Sequence, residues 1–400
     1  MSKPVLLMLL SRHPYAEKSG RGFMLRQRIE QAQRRFETRI VVVGHAADDE
    51  SDAGLVFLPM PGPFGVLRNA AALSKAPMQT WLYHSAAGRA RVADLARDAG
   101  AVYVDMLRLA PLARDAPAHV ARVIDYDDRL SARYKLAASD DYDVMGFLSH
   151  RMGPMAHAAR FLSRPLLRME SARCDVYERE TAEIADLVLL TSPHEAQALA
   201  ARNAMAAPPM ITPLTAPPPG RRIIFLGNLR YAENVTTLRA LAGAVRTMRV
   251  QGDWPDDALI EVVGDYPEGL PSQYDLRSFS FVGRIADLQA LAGAGVFLAP
   301  VVSGSGVKIK VLDGMALGCP VVATPKAVEG LDARANRDLL IAATPAAVLR
   351  AALRLRDKDR LKRMLAARAR AYLERAHSAA IGERFCDAIE AAIARRQETL

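Results

Sequence analysis

The sequence predicts an α/β protein with two doubly wound domains, each a parallel sheet covered by helices. Short apolar runs alternate with segments of helical spacing along both halves of the 400-residue chain, which is typical of parallel sheets. A chain of this length fits two or three domains at roughly 150 residues each. Six prolines fall within residues 208–220, where helix and central strand are excluded. This segment predicts an interdomain linker, with a surface loop as the alternative.

The first half, residues 1–207, is predicted to form the N-terminal, acceptor-side Rossmann-like domain. Helical spacing covers Gly22–Arg35, most of Val66–Arg97 and much of Val144–Ala185. Six apolar runs predict its strands: Val5–Leu10, Arg39–Val43, Gly54–Leu58, Ala101–Val104, Ala121–Ile124 and Leu187–Leu190.

Residues 221–380 are predicted to form the second domain, and residues 381–400 a C-terminal helix that packs back on the first. Asn234 is a good N-cap for a helix over Asn234–Arg249. Shorter helices are predicted over Ala286–Ala292 and Val307–Leu317. The predicted strands are Ile223–Leu226, Leu259–Val263, Phe279–Val282, Val296–Ala299, Pro320–Ala323 and Leu339–Ala342.

Composition excludes several classes of protein. Three widely spaced cysteines exclude a disulfide framework and favour a reducing, cytoplasmic compartment. The apolar run Val5–Leu10 is too short for a signal peptide, and the longest uncharged stretch, Leu288–Val302, falls short of the about 20 residues of a membrane span. A net charge of +9 suits phosphate ligands, anionic lipid or nucleic acid.

A glycine-containing loop after the strand Val296–Ala299 is the most informative segment. It comprises Ser303, Gly304, Ser305, Gly306 and Val307. Backbone N–H groups at the start of the following helix would stabilise a phosphate, and Lys308 and Lys310 add positive charge. Asp313, about two turns into the helix, is an acceptor suited to ribose hydroxyls. A lone G-x-G would favour a mere tight turn, but the whole string favours a phosphate site.

Residues 303–322, S-G-S-G-V-K-I-K-V-L-D-G-M-A-L-G-C-P-V-V, resemble the nucleotide-sugar-binding segment of GT-B glycosyltransferases, especially glycosyltransferase family 4. Other similar segments extend the resemblance over nearly all of residues 221–342. They are Phe225-Leu226-Gly227-Asn228, Val262-Val263-Gly264 and Phe281-Val282-Gly283-Arg284. The resemblance implies two Rossmann-like domains facing across a cleft and a nucleotide-diphosphate sugar as donor, with no further cofactor. It implies donor contacts from Gly227, Asn228, Arg230 and Arg284, although each arginine could equally be a solvated or salt-bridged loop residue.

The loop Arg12-His13-Pro14-Tyr15, with Lys18 and Gly20, resembles that of exopolysaccharide sugar transferases, one subset of which accompanies PEP-CTERM/exosortase loci. This implies hexosyl or uronosyl transfer to a saccharide or lipid-linked acceptor in bacterial exopolysaccharide or surface polysaccharide biosynthesis. The basic helix Gly22–Arg35 would suit peripheral association with the cytoplasmic face of the inner membrane. An ordinary Rossmann helix is the alternative, and the more favoured one.

Asp125, Asp127 and Asp128 follow a first-half strand, where ligands bind in such sheets. Asp128 is the predicted general base, with a helix N-cap as its alternative role. His13 is the second catalytic candidate, and Asp125 and Asp127 are candidates for the acceptor loop. A D-x-D-D run can suggest Mg²⁺, but GT-B enzymes rarely hold a metal through such a motif, so we expect none.

The sequence departs from the family pattern at two places. Ser305 and Asp313 stand where family 4 commonly has two glutamates, and Pro213-Leu214-Thr215 replaces the usual P-N-G-V-D. The sugar and the stereochemistry therefore stay open. The alternatives are a nucleotide-sugar 2-epimerase, a phosphorylase or a basic membrane-surface protein. The low aromatic content of 6% and the lack of an RNA- or DNA-binding motif argue against nucleic-acid binding. A NAD-dependent dehydrogenase is disfavoured because the sequence has no G-x-G-x-x-G after an early strand.

Overall fold

The computed structural model of the chain describes residues 3–16, 20–44, 54–139, 155–304 and 306–399, with the side chains of 155–163 left out. The chain divides into two compact units. The first includes Met1–Ala138, Ser163–Met210 and Ala379–Leu400, and the second includes Ile211–Ser378. Each unit is a parallel sheet with helices, so the predicted α/β class is confirmed.

The first unit contains a seven-stranded parallel sheet in the order β3-β2-β1-β4-β5-β6-β7. Its strands are β1 (Val5–Leu10), β2 (Glu37–Val43), β3 (Leu55–Leu58), β4 (Ala101–Asp105), β5 (Ala121–Asp127), β6 (Leu187–Leu190) and β7 (Ala204–Ala206). The central strands are continuous apolar runs because helices cover both faces of the sheet. Strand β7 was not predicted, since Ala-Met-Ala carries neither alternation nor β-branched residues. Strand β5 runs further than predicted and includes Asp125 and Asp127.

Helices of the first unit are more numerous than predicted. They are α1 (Gly20–Arg35), α2 (Pro63–Ala72), α3 (Met78–Trp81), α4 (Ala86–Leu95), α5 (Leu130–Ser139), α6 (Met155–Ile184) and α7 (Pro193–Leu199), with a 3₁₀ helix at Leu107–Ala113. The helical segment expected over most of Val66–Arg97 is divided at Pro77 and Ser85. Pro77 precedes α3, and the Ser85 hydroxyl caps α4 by accepting from the Gly88 N–H at 2.9 Å.

The second unit contains a six-stranded parallel sheet in the order β10-β9-β8-β11-β12-β13. Its strands are β8 (Arg222–Leu226), β9 (Ile260–Val263), β10 (Phe279–Gly283), β11 (Gly295–Ala299), β12 (Val321–Ala323) and β13 (Leu340–Ile341). Its helices are α8 (Ala232–Val250), α9 (Ile309–Ala316), α10 (Pro345–Arg356) and α11 (Asp359–Ala376), with 3₁₀ turns at Pro271–Gln273, Leu288–Leu291 and Pro325–Val328. Because β8 pairs with β11, the loops that follow these two strands are neighbours at the carboxyl edge of the sheet.

The proline-rich segment 208–220 contains the division between the units, which falls after Met210. Its later part is bound to the second unit by main-chain hydrogen bonds. The Ile211 N–H donates to the His377 carbonyl at 2.8 Å, and the Leu214 N–H donates to the Ala316 carbonyl at 2.8 Å.

The last helix, α12 (Ala380–Glu398), belongs to the first unit. Phe385 and Ile389 join an apolar cluster with Leu25 and Ile29 of α1 on one face of the sheet. Arg35 at the end of α1 pairs with carboxylates of α12, including Asp387. Helix α1 is therefore an ordinary sheet-covering helix, and the interpretation of α1 as a membrane-surface helix is wrong because its apolar face is buried in the core. None of the helices in the described parts of the chain is long and apolar enough to span a bilayer.

Candidate active-site residues

The loop after β11 adopts a backbone that requires glycine. Gly304 has φ +99° and Gly306 has φ +71°, in the left-handed region that L side chains rarely adopt. A Cβ at Gly304 would also come within 3.0 Å of the Glu233 carboxylate. Helix α9 begins at Ile309 with Lys308 as its N-cap, two residues later than predicted. Ser305 lies outside the described residues.

Two lysines stand at the start of α9. The Lys308 side chain is nearly buried, and its Nζ donates to the Gly306 carbonyl at 2.9 Å. The Lys310 Nζ donates to the Asn234 side-chain oxygen and lies 5.7 Å from the centre of the Phe225 ring. Burial lowers the pKa of Lys310 to about 8, against the raising effect of the Glu233 carboxylate.

Asp313 follows Lys310 on the same helix. Burial raises the pKa of Asp313 to about 7, against the lowering effect of Lys310. Both groups therefore change their charge close to neutral pH, where a bound anion would favour the ammonium form of Lys310.

The loop after β8 passes very close to the loop after β9. A Cβ at Gly264 would lie 2.1 Å from the Gly227 carbonyl oxygen, so only glycine fits there. The Asn228 side-chain oxygen accepts from the Arg230 N–H at 2.9 Å. The Asn234 amide donates to the Asn228 carbonyl at 2.8 Å.

Asn234 is not the N-cap that the sequence predicts. Helix α8 begins at Ala232 with Tyr231 as its N-cap, so Asn234 lies in the first turn. From there its side chain bonds both the Asn228 carbonyl and the Lys310 ammonium. The structure thus brings the predicted donor residues after β8 together with those of α9, and Asn234 is the link.

Arg230 and Arg284, the other predicted donor residues, are both exposed. The Arg230 Nε donates to an Asp265 carboxylate oxygen at 2.6 Å, and this hydrogen bond lowers the pKa of Asp265. Arg284 directly follows β10 and lowers the same pKa through its charge. Sequence reasoning missed Asp265, although an acid directly after the strand-ending Gly264 is a signal that could have found it.

Ser303 and Thr324 border the same loop. The Ser303 hydroxyl is buried without a hydrogen-bond partner among the residues that the structure describes. The Thr324 hydroxyl donates to the Val301 carbonyl at 2.6 Å and so ties the loop to the end of β12. Val307 is half-buried between Gly306 and the N-cap Lys308.

At the carboxyl edge of the first sheet, the buried Arg21 binds three aspartates. Its guanidinium lies 2.5 Å from Asp105, 3.3 Å from Asp125 and 3.1 Å from Asp127. Burial alone would raise the pKa of Asp105, but the Arg21 charge and hydrogen bonds lower it. Sequence reasoning missed Arg21 and Asp105; Arg21 directly follows the predicted loop residue Gly20, which is the first residue of α1.

Asp125 and Asp127 end β5 with different exposure. Asp125 is buried and accepts from the Tyr103 hydroxyl at 2.6 Å and from the Asp127 N–H at 2.9 Å. Asp127 lies at an irregularity in the β5–β6 register and has φ +66°, a strained conformation for a non-glycine residue. One of its carboxylate oxygens accepts from Arg21 and from the Thr191 hydroxyl at 3.0 Å. Its side chain is 22% exposed, so Asp127 is the accessible member of this pair.

Asp128, the predicted general base, is buried, and both of its carboxylate oxygens accept from Arg133 at 2.6 Å. Helix α5 begins at Leu130, so Asp128 is not directly in the N-cap position. The neighbouring Glu195 has a pKa raised to about 7 by burial and by the Asp128 charge. These contacts favour a structural ion pair for Asp128.

His13 and Lys18 belong to the predicted loop after β1. The His13 Nδ1 accepts from the Tyr15 N–H at 3.2 Å and the Ala16 N–H at 3.0 Å, and its ring stacks near Phe57. Lys18 lies outside the described residues. Across the described ranges, no group of three or more His, Cys, Asp or Glu side chains could hold a metal ion.

Comparison with known proteins adds two findings. Residues 220–358 match the model of a family described as glycosyl transferases group 1, and this range contains all the predicted donor residues. No curated protein matches the sequence.

Solved structures match nearly the whole chain at low identity. Sucrose-phosphate synthase from Thermosynechococcus elongatus has a TM-score of 0.65 at 16% identity, covering 98% of this chain and 100% of that one. Anabaena HepE in complex with UDP and glucose has a TM-score of 0.63 at 14% identity, covering 97% and 100%. The lipopolysaccharide outer core galactosyltransferase WaaB has a TM-score of 0.58 at 10% identity, covering 97% and 99%. At these identities the likeness shows the fold, which is that of GT-B glycosyltransferases, as the resemblance predicted. With a glycosyl transferases group 1 domain in residues 220–358 on this fold, the protein is a glycosyltransferase.

Proposed function

We propose that the enzyme transfers a hexosyl or uronosyl group from a nucleotide-diphosphate sugar to a saccharide or lipid-linked acceptor, in bacterial exopolysaccharide or surface polysaccharide biosynthesis. The observation that carries the donor assignment is the loop before α9. Gly304 and Gly306 turn the backbone there, and Lys308 and Lys310 add two cations beside it. Such a loop at a helix N-terminus suits the diphosphate of a donor.

The donor half of the reaction is assigned to residues of the second unit. As the sugar–oxygen bond to the diphosphate breaks, negative charge develops on the leaving group and needs fixed donors and cations. Lys308 and Lys310 supply this charge, and the unpartnered Ser303 hydroxyl offers a further hydrogen bond. Asp313 is the acceptor assigned to the ribose hydroxyls. HepE has been solved with UDP-glucose, which makes uridine nucleotides the first donors to test.

The acceptor half is assigned to Asp127 rather than to Asp128. A general base takes the proton of the acceptor hydroxyl as that oxygen bonds to the sugar. Arg21 and Thr191 hold one oxygen of Asp127, and no described residue donates a hydrogen bond to the other. Both carboxylate oxygens of Asp128 accept hydrogen bonds from Arg133, so we assign Asp128 a structural role at this edge of the sheet.

Thermal-shift measurements with UDP-, GDP-, dTDP- and ADP-sugars test the donor assignment, because a ligand that binds the native state raises the melting temperature. We expect one nucleotide series to raise it, with the diphosphate more effective than the matching monophosphate. Since the diphosphate is the assigned anchor, equal shifts with monophosphate and diphosphate would contradict the proposal. So would the absence of a shift with every nucleotide sugar.

A further inference from the structure

Two further arginines, Arg12 and Arg108, lie at the carboxyl edge of the first sheet. Arg12 follows β1, and Arg108 lies in the 3₁₀ helix after β4. Because β1 pairs with β4, these two segments are neighbours at that edge. The Arg108 Nη2 donates to the Ser11 hydroxyl at 2.7 Å. The Arg12 Nη2 lies 3.9 Å from the Met106 sulfur, which is only a weak acceptor. We call Arg12 and Arg108 the arginine pair.

The arginine pair has no counter-charge in ion-pair contact. Neither member forms an ion pair with any residue that the structure describes. The carboxylates of this edge bind other cations: Arg21 holds three aspartates, and Arg133 holds Asp128. Both Nε atoms of the pair are buried without a hydrogen-bond partner among the described residues. Buried donors without an acceptor cost stability, so the pair is suited to a ligand that supplies one.

The environment of Arg108 disfavours its positive charge. Burial lowers the pKa of Arg108, and the charges of Arg12 and Arg133 lower it further. Tyr83 and Asp105 act in the opposite direction without reversing the shift. The Arg108 guanidinium lies 5.1 Å from the centre of the Tyr83 ring, which holds the cation in place but does not neutralise it. An anion bound here would relieve the repulsion between the two arginines.

The backbone that carries Arg108 is strained. Met106, between β4 and the 3₁₀ helix, has φ +70°, which is uncommon for a residue other than glycine. Its N–H donates to the Asp125 carbonyl at 2.8 Å, so the turn is fixed to the neighbouring strand. Strain of this kind concentrates at ligand sites, where the surrounding structure maintains it.

We propose that the arginine pair binds a phosphate group of the acceptor. A guanidinium matches phosphate oxygens with two parallel hydrogen bonds. The two cations also match the two negative charges of a sugar phosphate or of the diphosphate in a lipid-linked saccharide. A carboxylate brings one negative charge and would leave the second cation uncompensated. The assignment to the acceptor rests on the proposed function, in which this edge holds the acceptor; the anion site itself does not.

A chain of hydrogen bonds connects the arginine pair to the proposed base. The Ser11 hydroxyl accepts from Arg108 and donates to Asp105 at 2.8 Å. Arg21 then donates to both Asp105 and Asp127. An acceptor anchored at the pair would therefore lie on the same edge of the sheet as Asp127.

Isothermal titration calorimetry of the full chain, in buffer without phosphate or sulfate, tests the proposal with two probes. Glucose 6-phosphate represents a phosphorylated saccharide, and geranyl diphosphate represents the charged part of a lipid-linked acceptor. We expect at least one probe to bind, and the tighter one identifies the source of the phosphate. Glucuronate, which carries a carboxylate instead, should bind clearly more weakly. Binding of neither probe, or glucuronate binding as tight as that of the better probe, would overturn the proposal.

Arg12→Gln and Arg108→Gln should each weaken binding of the better probe by about tenfold or more, because a charge-assisted contact is lost. Arg114→Gln is the matched control, since Arg114 is the exposed residue that ends the same 3₁₀ helix. The control should bind the probe like the wild type. Equal weakening in all three variants would indicate a general charge effect and would contradict a site at the arginine pair.

Melting temperatures separate ligand binding from a structural role. Removal of a cation that lacks an ion pair should leave the melting temperature of the ligand-free protein unchanged or raise it. The rise that the better probe produces in the wild type should be lost in the Arg12 and Arg108 variants. Lower melting temperatures of both ligand-free variants, with the rise by the probe retained, would assign the pair to the structure of this edge.

Nucleoside diphosphate binding distinguishes this site from the donor site. Arg108→Gln should keep the wild-type affinity for the nucleoside diphosphate. Weaker nucleoside diphosphate binding in this variant would assign the arginine pair to the donor and overturn the acceptor assignment. Normal probe binding in a wild-type protein that binds no nucleotide would support the anion site and contradict only the donor assignment.

Discussion

The carboxyl edges of the two sheets have the same topology but opposite electrostatics. In the first sheet, Arg21 is buried among Asp105, Asp125 and Asp127, so the charged groups mostly satisfy one another. In the second sheet, Lys310 is buried against an aromatic ring and a neutral amide, and burial lowers its pKa. The first edge is an acidic network in which Asp127 is more accessible than Asp105 and Asp125. The second places two lysines beside a glycine-containing loop and is suited to an incoming anion.

The largest effect should come from removing the accessible carboxylate of the first edge. Asp127→Asn keeps the shape of the side chain but cannot accept a proton, so turnover should fall by about 10²–10⁴-fold with donor affinity unchanged. Asp128→Asn is the matched control and should reduce turnover far less. Steady-state kinetics with an identified acceptor measure both. A larger loss of turnover in Asp128→Asn than in Asp127→Asn would identify Asp128 as the general base.

Removal of Arg21, which is buried at the carboxyl edge of the first sheet, should destabilise the fold. Arg21→Met leaves three buried or partly buried aspartates without their main counter-charge, and breaking a buried ion pair typically costs about 3–5 kcal/mol. Urea denaturation should show a fall of this size in the free energy of unfolding. Arg39→Met, which removes a surface pair with Asp98, should change it much less. Similar losses in the two variants would mean that the Arg21 network is not the stabilising element of this edge.

On the second edge, Lys308→Ala should weaken nucleoside diphosphate binding by about 1.5–3 kcal/mol, because a charge-assisted contact is removed. Lys358 offers a matched control, since it is also a helix N-cap without a side-chain capping bond. Calorimetric titration of the wild type and of Lys308→Ala and Lys358→Ala compares the three. Unchanged affinity for the nucleoside diphosphate in the Lys308 variant would show that Lys308 does not bind the phosphates.

The pH dependence of donor binding should report Lys310. Its pKa is lowered to about 8 in the folded protein, and a bound diphosphate would favour the protonated form. Affinity should therefore be highest below pH 8 and should fall as the pH rises through 8, by up to about tenfold per unit. Lys310→Arg should bind without this fall, because a guanidinium stays protonated over the whole range. A fall that persists in the arginine variant would assign the titration to another group.

The sequence predicted the edge of the second sheet much better than that of the first. The loop before α9 and the start of α9 are contiguous residues, so one stretch of sequence contains both the glycines that shape the backbone and the lysines that supply the charge. The first-edge network joins Arg21 to Asp105 across 84 residues and to Asp127 across 106. Only the strand order, with β1 beside β4 and β4 beside β5, brings them together.

Local detail failed where two signals competed. Asn234 has the chemistry of an N-cap, but its side chain is used to link the Asn228 carbonyl to Lys310, and α8 begins two residues earlier. The apolar residues of α1 are compatible with either a membrane or a core. Their packing against the sheet and α12 shows that they belong to the core, as the favoured interpretation of α1 as an ordinary Rossmann helix predicted.

Hydrogen–deuterium exchange measured by mass spectrometry tests the contrast between the two edges most directly. The ligand is the nucleoside diphosphate that gives the largest thermal shift. We expect the strongest slowing of exchange in peptides covering residues 227–234 and 301–313, with little change in residues 103–108 and 121–130. Bound nucleotide that slows exchange at 121–130 and leaves 301–313 unchanged would contradict the assignment of the donor to the second unit.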